Sequence, residues 1–481
     1  MMGRHWFLMA ETPAPYATNR YNNTHLRTQF DSWTYGSGHT YIDDIWQYLY
    51  VGINRANAVI DNGPNIDDDT EEPAGYNKLE RVVGEARFYR ALYYFYLVEF
   101  FGDVPLRINE TTNIDSVALA KTERSIIYEV IIDDLKYAEQ KLAEAWEYED
   151  TGKTDYGRPT KGGAKTLLAK VYLQRSQNPE AQGSDVADAN TKLDEVIGSG
   201  YGLADNYDQL QYFNNGLGAE NNNALNYEIL FEIQFTASGF GAAGNHAFSP
   251  RESDIGKNKW TVFAAEFNYV ESFEPGDERY DANFVLEYTK QKDGSLQVYD
   301  ITDVKNDGYK DDALSFTQRL DPEPANENSE EPNMQIIRFS DVLLLKAEAL
   351  VYLGQENNAY EYVNRVRRRA YGVDPNTPDP AVDWAIGSKA NFKQELYKER
   401  LKELPFMTWG TIDLRRMWDV ATPLVEASSK RVEMQNGVEI TNDGPKWEIT
   451  DFSDKFKFYP TPAEAMDRNT SLVQHPLWGS N

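Results

Sequence analysis

Several stretches carry residues whose types and spacing could do chemistry. Gly239, Gly241 and Gly244 spell GFGAAG after a strand-like run, the order in which a dinucleotide-binding turn sets its glycines. Such a turn needs a helix N-terminus next, to receive the pyrophosphate. NHAFSPRES follows instead, with Pro250 inside it and no βαβ pattern around it, so a loop is the expected structure. In DVKNDGYKDDAL, Asp303, Asp307 and Gly308 stand where an EF-hand loop has two acids and its turn glycine. Lys305 then places a cation at the third position, and Leu314 leaves the twelfth without a bidentate acid, which predicts a solvated turn. His5, His25, His39, His246 and His475 are scattered, with no HExxH or other close metal spacing. No nucleophile elbow, P-loop or kinase set is present. Carboxylates abound, but a glycosidase acid/base pair is defined by its separation in space, which chain order does not supply. Arg365, Arg367, Arg368 and Arg369 are expected on the polar face of a helix, in salt bridges rather than on phosphate.

Composition narrows the partners. Across 481 residues, 48 Lys and Arg face 77 Asp and Glu, and the net charge of -29 repels phosphate backbones and anionic lipid headgroups. Nucleic acid is therefore not an expected partner. The absence of cysteine excludes disulfides, thiolate metal sites and a Cys nucleophile. With 31 Tyr, 22 Phe and 10 Trp, many rings must lie at partly exposed positions, which suits surfaces built for recognition. The opening MMGRHWFLMA holds only a five-residue apolar patch, too short for a signal-peptide core, so the chain is expected to be mature or truncated.

The elements that must position any site are mostly helical. Val82, Ala86, Tyr89, Tyr93, Tyr96 and Phe100 recur at three- and four-residue steps, and Ala91 to Val98 is apolar or aromatic all round, which predicts a helix enclosed by other helices. Glu99 and a polar first half argue against a membrane span, and Gly102 and Pro105 stop the helix. Arg81 and Glu85 form an i,i+4 pair expected at the surface. Further helices are expected over 41–60, over 127–142, from 164 and, as its antiparallel mate, over 189–197. A helix–turn–helix unit follows around Leu343 and Ala359, with Ser340 as N-cap and Gly354 as stop. Between the helical halves, Ile229, Phe231, Ile233 and Phe235 alternate as a strand, inside a Gly-, Asn- and aromatic-rich stretch from 200 to 332 that suits a binding face. A second irregular region is expected over 421–460.

With these elements placed, GEARFYRALYYFYLVEFFGDVPL (84–106) resembles the central signature of the SusD/RagB family of Bacteroidetes nutrient-binding lipoproteins. Six further stretches match in order: IWQYLYVGINRANAVID, GRPTKGGAKTLLAKVYL, IIRFSDVLLLKAEALVYLG, VNRVRRRAYG, KERLKELPFMTWGTIDLRRMW and YPTPAEAMDRNTSLVQHPLW. The resemblance implies a mainly α body over 1–481: a tetratricopeptide-like helix-pair scaffold over 41–200 and 338–420, with a large irregular, loop-rich insert carrying short β-strands. The loop-rich cap would span 201–337, with 421–481 as the C-terminal region.

It also implies a binding protein without catalysis or cofactor, held at the cell surface on the outer membrane. Such a protein delivers oligosaccharide to a TonB-dependent SusC-like transporter, which the tetratricopeptide-like helices face. The family's N-terminal lipid anchor is implied but is not in this sequence. Pro13 and Pro15 are followed by Ala14 and Tyr16 where the family's early motif commonly has an acid. Trp260, in GKNKWTVFAAEF, resembles a family position that stacks on glycan; Tyr16, Asn19 and Arg20 match the early loop facing the same site, and Phe240 and His246 the loop before Trp260. Trp33, Tyr35 and Trp384 are further rings expected in exposed loops, whereas Tyr89, Tyr93 and Tyr96 are expected in the core. A binder of peptide or another nutrient, a glycosidase, and a tetratricopeptide-type adaptor are the alternatives.

Overall fold

The chain is seen here as a computed structural model that describes residues 4–19, 26–66, 77–113, 118–144, 157–210, 227–234, 253–254, 262–298, 316, 333–429, 434–435, 438–439 and 453–479. Its helices, in chain order, are α1 (Arg4–Ala10), α2 (Thr28–Asp31), α3 (Thr40–Asn62), α4 (Lys78–Phe101), α5 (Arg124–Lys141), α6 (Lys161–Ser176) and α7 (Asp185–Ile197). After the middle of the chain come α8 (Phe267–Glu271), α9 (Arg279–Asn283), α10 (Phe339–Tyr352), α11 (Glu356–Ala370), α12 (Phe392–Glu403), α13 (Gly410–Arg416), α14 (Trp418–Ser429) and α15 (Ala463–Arg468).

Helix α4 is the enclosed helix the pattern demanded. Asn77 caps it, its side chain accepting from the Glu80 N–H at 2.9 Å, and every residue from Tyr94 to Phe101 is buried. Gly102 ends it at φ +72°, a backbone region that glycine enters without strain. On one side it packs on α3, where Gly52 leaves room for the Tyr93 ring: a Cβ there would sit 2.5 Å from Tyr93 Cε2. On the other it packs on α5, and the series continues through α6, α7, α10 and α11, each helix lying on the one before. The two helical stretches of the sequence thus form one scaffold, because α7 and α10 meet.

Among the described residues strands are few and short. β2 (Ile229–Ile233) pairs antiparallel with β6 (Met334–Arg338), which feeds straight into α10. β1 (Ala17–Asn19) pairs with β3 (Phe263–Ala265), β4 (Glu287–Thr289) with β5 (Leu296–Val298), and β7 (Met434–Gln435) with β8 (Val438–Glu439). The architecture is mainly helical with small two-stranded sheets in its irregular part, as expected.

Four local expectations are corrected. Ser340 is buried inside the first turn of α10 and does not cap it; Arg338 holds the cap position. The region from 421 is helical as far as Ser429, because α14 continues through Pro423. The Arg81–Glu85 pair is not exposed, Arg81 being buried and Glu85 partly so, and Arg158 joins it, its Nη1 2.9 Å from Glu85 Oε2. Arg367, Arg368 and Arg369 do make salt bridges, yet they are buried instead of lining a solvated face. Arg369 pairs with Glu228 at 2.9 Å and with Glu403, while Arg338 reaches the same two carboxylates at 3.2 and 3.3 Å. A second buried set links Lys170 to Asp341 at 2.8 Å, Asp341 to Arg400 at 3.0 Å, Arg400 to Asp413, and Asp413 through Arg416 to Glu348. Each of these charges has at least one opposite charge within 3.3 Å, the pairing under which buried ions are tolerated.

Candidate functional site

Two of the segments expected to carry the site emerge from one small sheet. β1 and β3 run antiparallel with Ala17 opposite Ala265, Thr18 opposite Ala264 and Asn19 opposite Phe263. The chain therefore leaves β1 at Asn19 where it enters β3 at Phe263. Arg20 follows Asn19 directly, and Trp260 precedes Phe263 by three residues; both lie outside the described residues, as do Phe240 and His246, and so do GFGAAG and DVKNDGYKDDAL. The backbone of Asn19 is described, and it stands at this shared edge.

The stems of both segments are fixed. Thr18 Oγ1 donates to Asp31 Oδ2 at 2.7 Å, tying β1 to α2. The Leu26 carbonyl accepts from His39 Nε2 at 2.9 Å while His39 Nδ1 accepts from the Tyr41 N–H at 3.2 Å. That pair of bonds defines a neutral imidazole, in keeping with burial pushing the His39 pKa down. On the second segment, Asp254 is held twice to Thr289: its N–H donates to the Thr289 carbonyl at 2.8 Å and its Oδ1 accepts from the Thr289 N–H at 2.9 Å. The Glu266 N–H closes the far end of the sheet, donating to the Tyr16 carbonyl at 2.9 Å.

Under the sheet lies a floor of rings: Tyr16, Phe263, Tyr269, Phe284, Phe316 and Phe406, with neighbouring centroids 4.8 to 6.3 Å apart. Tyr16 belongs to this floor and not to the ligand surface. It is 1% exposed, its hydroxyl donates to Glu11 Oε2 at 2.5 Å and accepts from the Phe406 N–H at 3.0 Å, and so it offers no free face to a sugar. Burial raises the Glu11 pKa to about 8, so this carboxyl keeps its proton at neutral pH.

The other rings expected in exposed loops are also buried. Trp33 lies edge-on to Phe456 at 5.2 Å, and Tyr35 rests on Tyr459 and Trp478 at 4.9 and 5.6 Å, because the C-terminal segment folds over them. Trp384 packs on Phe392 at 6.2 Å. Of the core tyrosines, Tyr96 is buried, while Tyr89 and Tyr93 are only partly so. What the sequence could not signal is the β1–β3 ladder itself: three residues carry no period, and Ala-Thr-Asn has no strand composition.

Comparison with known proteins identifies the family and the fold. A model of the SusD family matches residues 174–478, and one described as "Starch-binding associating with outer membrane" matches residues 9–173. SusD-like protein P25 of Formosa agariphila is 26% identical over 80% of this chain and 72% of its own length. A SusD homologue from Bacteroides thetaiotaomicron has the same fold, with a TM-score of 0.79 at 22% identity over 98% of this chain and 93% of that one. A laminarin-binding SusD-like protein superposes with a TM-score of 0.70 at 22% identity, over 98% of this chain and 95% of the other. With one family model covering well over half of its residues, the chain belongs to the SusD family.

Proposed function

We propose that this protein binds oligo- or polysaccharide without cleaving it, at the edge where β1 and β3 meet. There it would work on the cell surface, lipid-anchored to the outer membrane, and hand the glycan to a TonB-dependent SusC-like transporter. The observation that carries the reading is the Asn19–Phe263 register, which joins the stems of the two segments holding Asn19, Arg20 and Trp260. Family membership supports the carbohydrate class, since one matching family model is described as starch-binding and one structural relative as laminarin-binding. The chemistry agrees: an indole offers a flat apolar face to sugar C–H groups, and neighbouring Asn and Arg hydrogen-bond hydroxyls.

Affinity electrophoresis against a panel of soluble polysaccharides tests it. Retardation by at least one glycan, abolished by Trp260→Ala with no loss of thermal stability, is expected. Binding of peptides but no glycan would refute the nutrient class, and new reducing ends from a bound glycan would refute the absence of catalysis. Co-purification with the transporter tests the delivery step.

A further inference from the structure

On the scaffold, between α7, α10, α11 and the loop from 374 to 391, lies an open cleft of about 1170 Å³. That exceeds the roughly 300–1,000 Å³ of ordinary small-molecule sites. We propose that this cleft is a second saccharide-binding site, taking a sugar that bears an oxyanion, carboxylate or sulfate, at Arg365. The proposal rests on the carbohydrate reading above only for the class of ligand.

Most of the charged groups that line the cleft are paired. Asn364 clamps the loop through two bonds to the Trp384 backbone, donating to its carbonyl at 3.1 Å and accepting from its N–H at 2.8 Å. Arg368 is forked onto Asp383 at 2.6 and 2.7 Å and onto Glu361 at 2.9 Å, which engages both acids of that wall. Lys346 is held by Asp194 and by Asn190, each at 2.6 Å.

Arg365 is left over. Among the described residues it has no ion pair, and its buried Nε has no hydrogen-bond partner; the buried Trp384 Nε1 is likewise without an acceptor. The guanidinium lies over the Phe339 ring at 5.8 Å and feels the charge of Glu361 without bonding to it; in a chain with 77 acids to 48 bases a guanidinium without an ion pair is unusual, and a buried donor without an acceptor calls for one. Both groups can only donate, which selects an oxyanion. Around them Gln355, Asn357, Asn358 and Asn376 are exposed and offer the mixed donors and acceptors that vicinal hydroxyls require, with Ile386, 68% exposed, as an apolar flank. A simple anion would leave those carboxamides idle, and a neutral sugar would leave Arg365 unmatched.

Calorimetric titration of the full chain with oligogalacturonate, sulfated carrageenan oligosaccharide and neutral laminarin oligosaccharide tests this. At least one acidic saccharide is expected to bind, and which one binds identifies the oxyanion. Arg365→Gln should weaken that binding about tenfold or more, as loss of a charged hydrogen bond does, and leave neutral saccharide binding unchanged. Trp260→Ala should leave the acidic saccharide bound. If Arg365→Gln lowers the melting temperature, the exposed double variant Asn357→Ala, Asn358→Ala should show the same selective loss. Neutral binding without acidic binding, or equal acidic affinity in these variants, overturns the second site alone. A chain that binds no saccharide at all overturns the carbohydrate reading with it.

Discussion

The Tyr16 hydroxyl donates to the buried Glu11 carboxyl at 2.5 Å and accepts from the Phe406 N–H at 3.0 Å. Glu11 in turn accepts from the Gly410 N–H at 3.1 Å. Two segments nearly four hundred residues apart in the chain are thereby locked beneath β1, in a turn where Phe406 and Thr408 hold φ values of +54° and +74° that non-glycine residues rarely adopt. Tyr16 is a positioning residue for the strand that carries Asn19.

Tyr16→Phe keeps the ring and removes the hydroxyl, leaving the Phe406 N–H without its acceptor. The expected cost is about 1–3 kcal/mol in urea unfolding. Glycan affinity at saturating folded protein should stay within about twofold, since the ring meets no ligand. A loss of affinity without a loss of stability would restore Tyr16 to the ligand surface.

Glu11 makes stability depend on pH in a definite direction. Its folded pKa of about 8 lies above the ordinary carboxyl value of 4.5, so between those limits the unfolded chain releases a proton that the folded chain keeps. Its stabilising contribution is whole below about pH 4.5 and is lost as pH rises to about 8. Glu11→Gln removes the proton, so this variant should gain on the order of 1–3 kcal/mol relative to wild type between pH 5 and pH 8. Thermal melts across that range should show the gain; a constant difference would contradict the protonated state.

Arg369 is fully buried between Glu228 and Glu403. Arg369→Ala leaves both carboxylates short of a partner and should cost about 3–5 kcal/mol, seen as a fall in the urea midpoint. An effect below 1 kcal/mol would mean that Arg338, with Arg279 at 3.3 Å from Glu403, satisfies both.

What could be read from the chain follows from the range of the interactions. Helix α4 was legible because its apolar period and the Gly102 stop each act on neighbours within a turn or two, although the Asn77 cap was not read. The role of Arg367, Arg368 and Arg369 was half legible: their charge shows, but Glu228, Glu399 and Glu403 come to them from other parts of the chain. Trp33 and Tyr35 beside Gly36 and Gly38 have the composition of an exposed loop, and only Phe456, Tyr459 and Trp478, far along the sequence, bury them. The edge shared by Asn19 and Phe263 was hidden for the same reason, since a three-residue ladder exists only through its distant partner.

That ladder can be tested through one hydrogen bond. The Glu266 N–H donates to the Tyr16 carbonyl at 2.9 Å, and Glu266 has φ -70° and ψ 136°, values a proline accepts. Its neighbour Ala265 is in a strand, as a residue before proline prefers. Glu266→Pro therefore deletes the donor with little backbone strain, while Glu266→Ala deletes only the side chain. If the β1–β3 edge aligns Asn19 and Trp260 for glycan, the proline variant should lose about 1 kcal/mol more stability than the alanine variant and bind the glycan several-fold more weakly. Both can be read from melting curves and titrations on the same samples. Equal affinity of the two variants for glycan would show that the ladder does not organise the site.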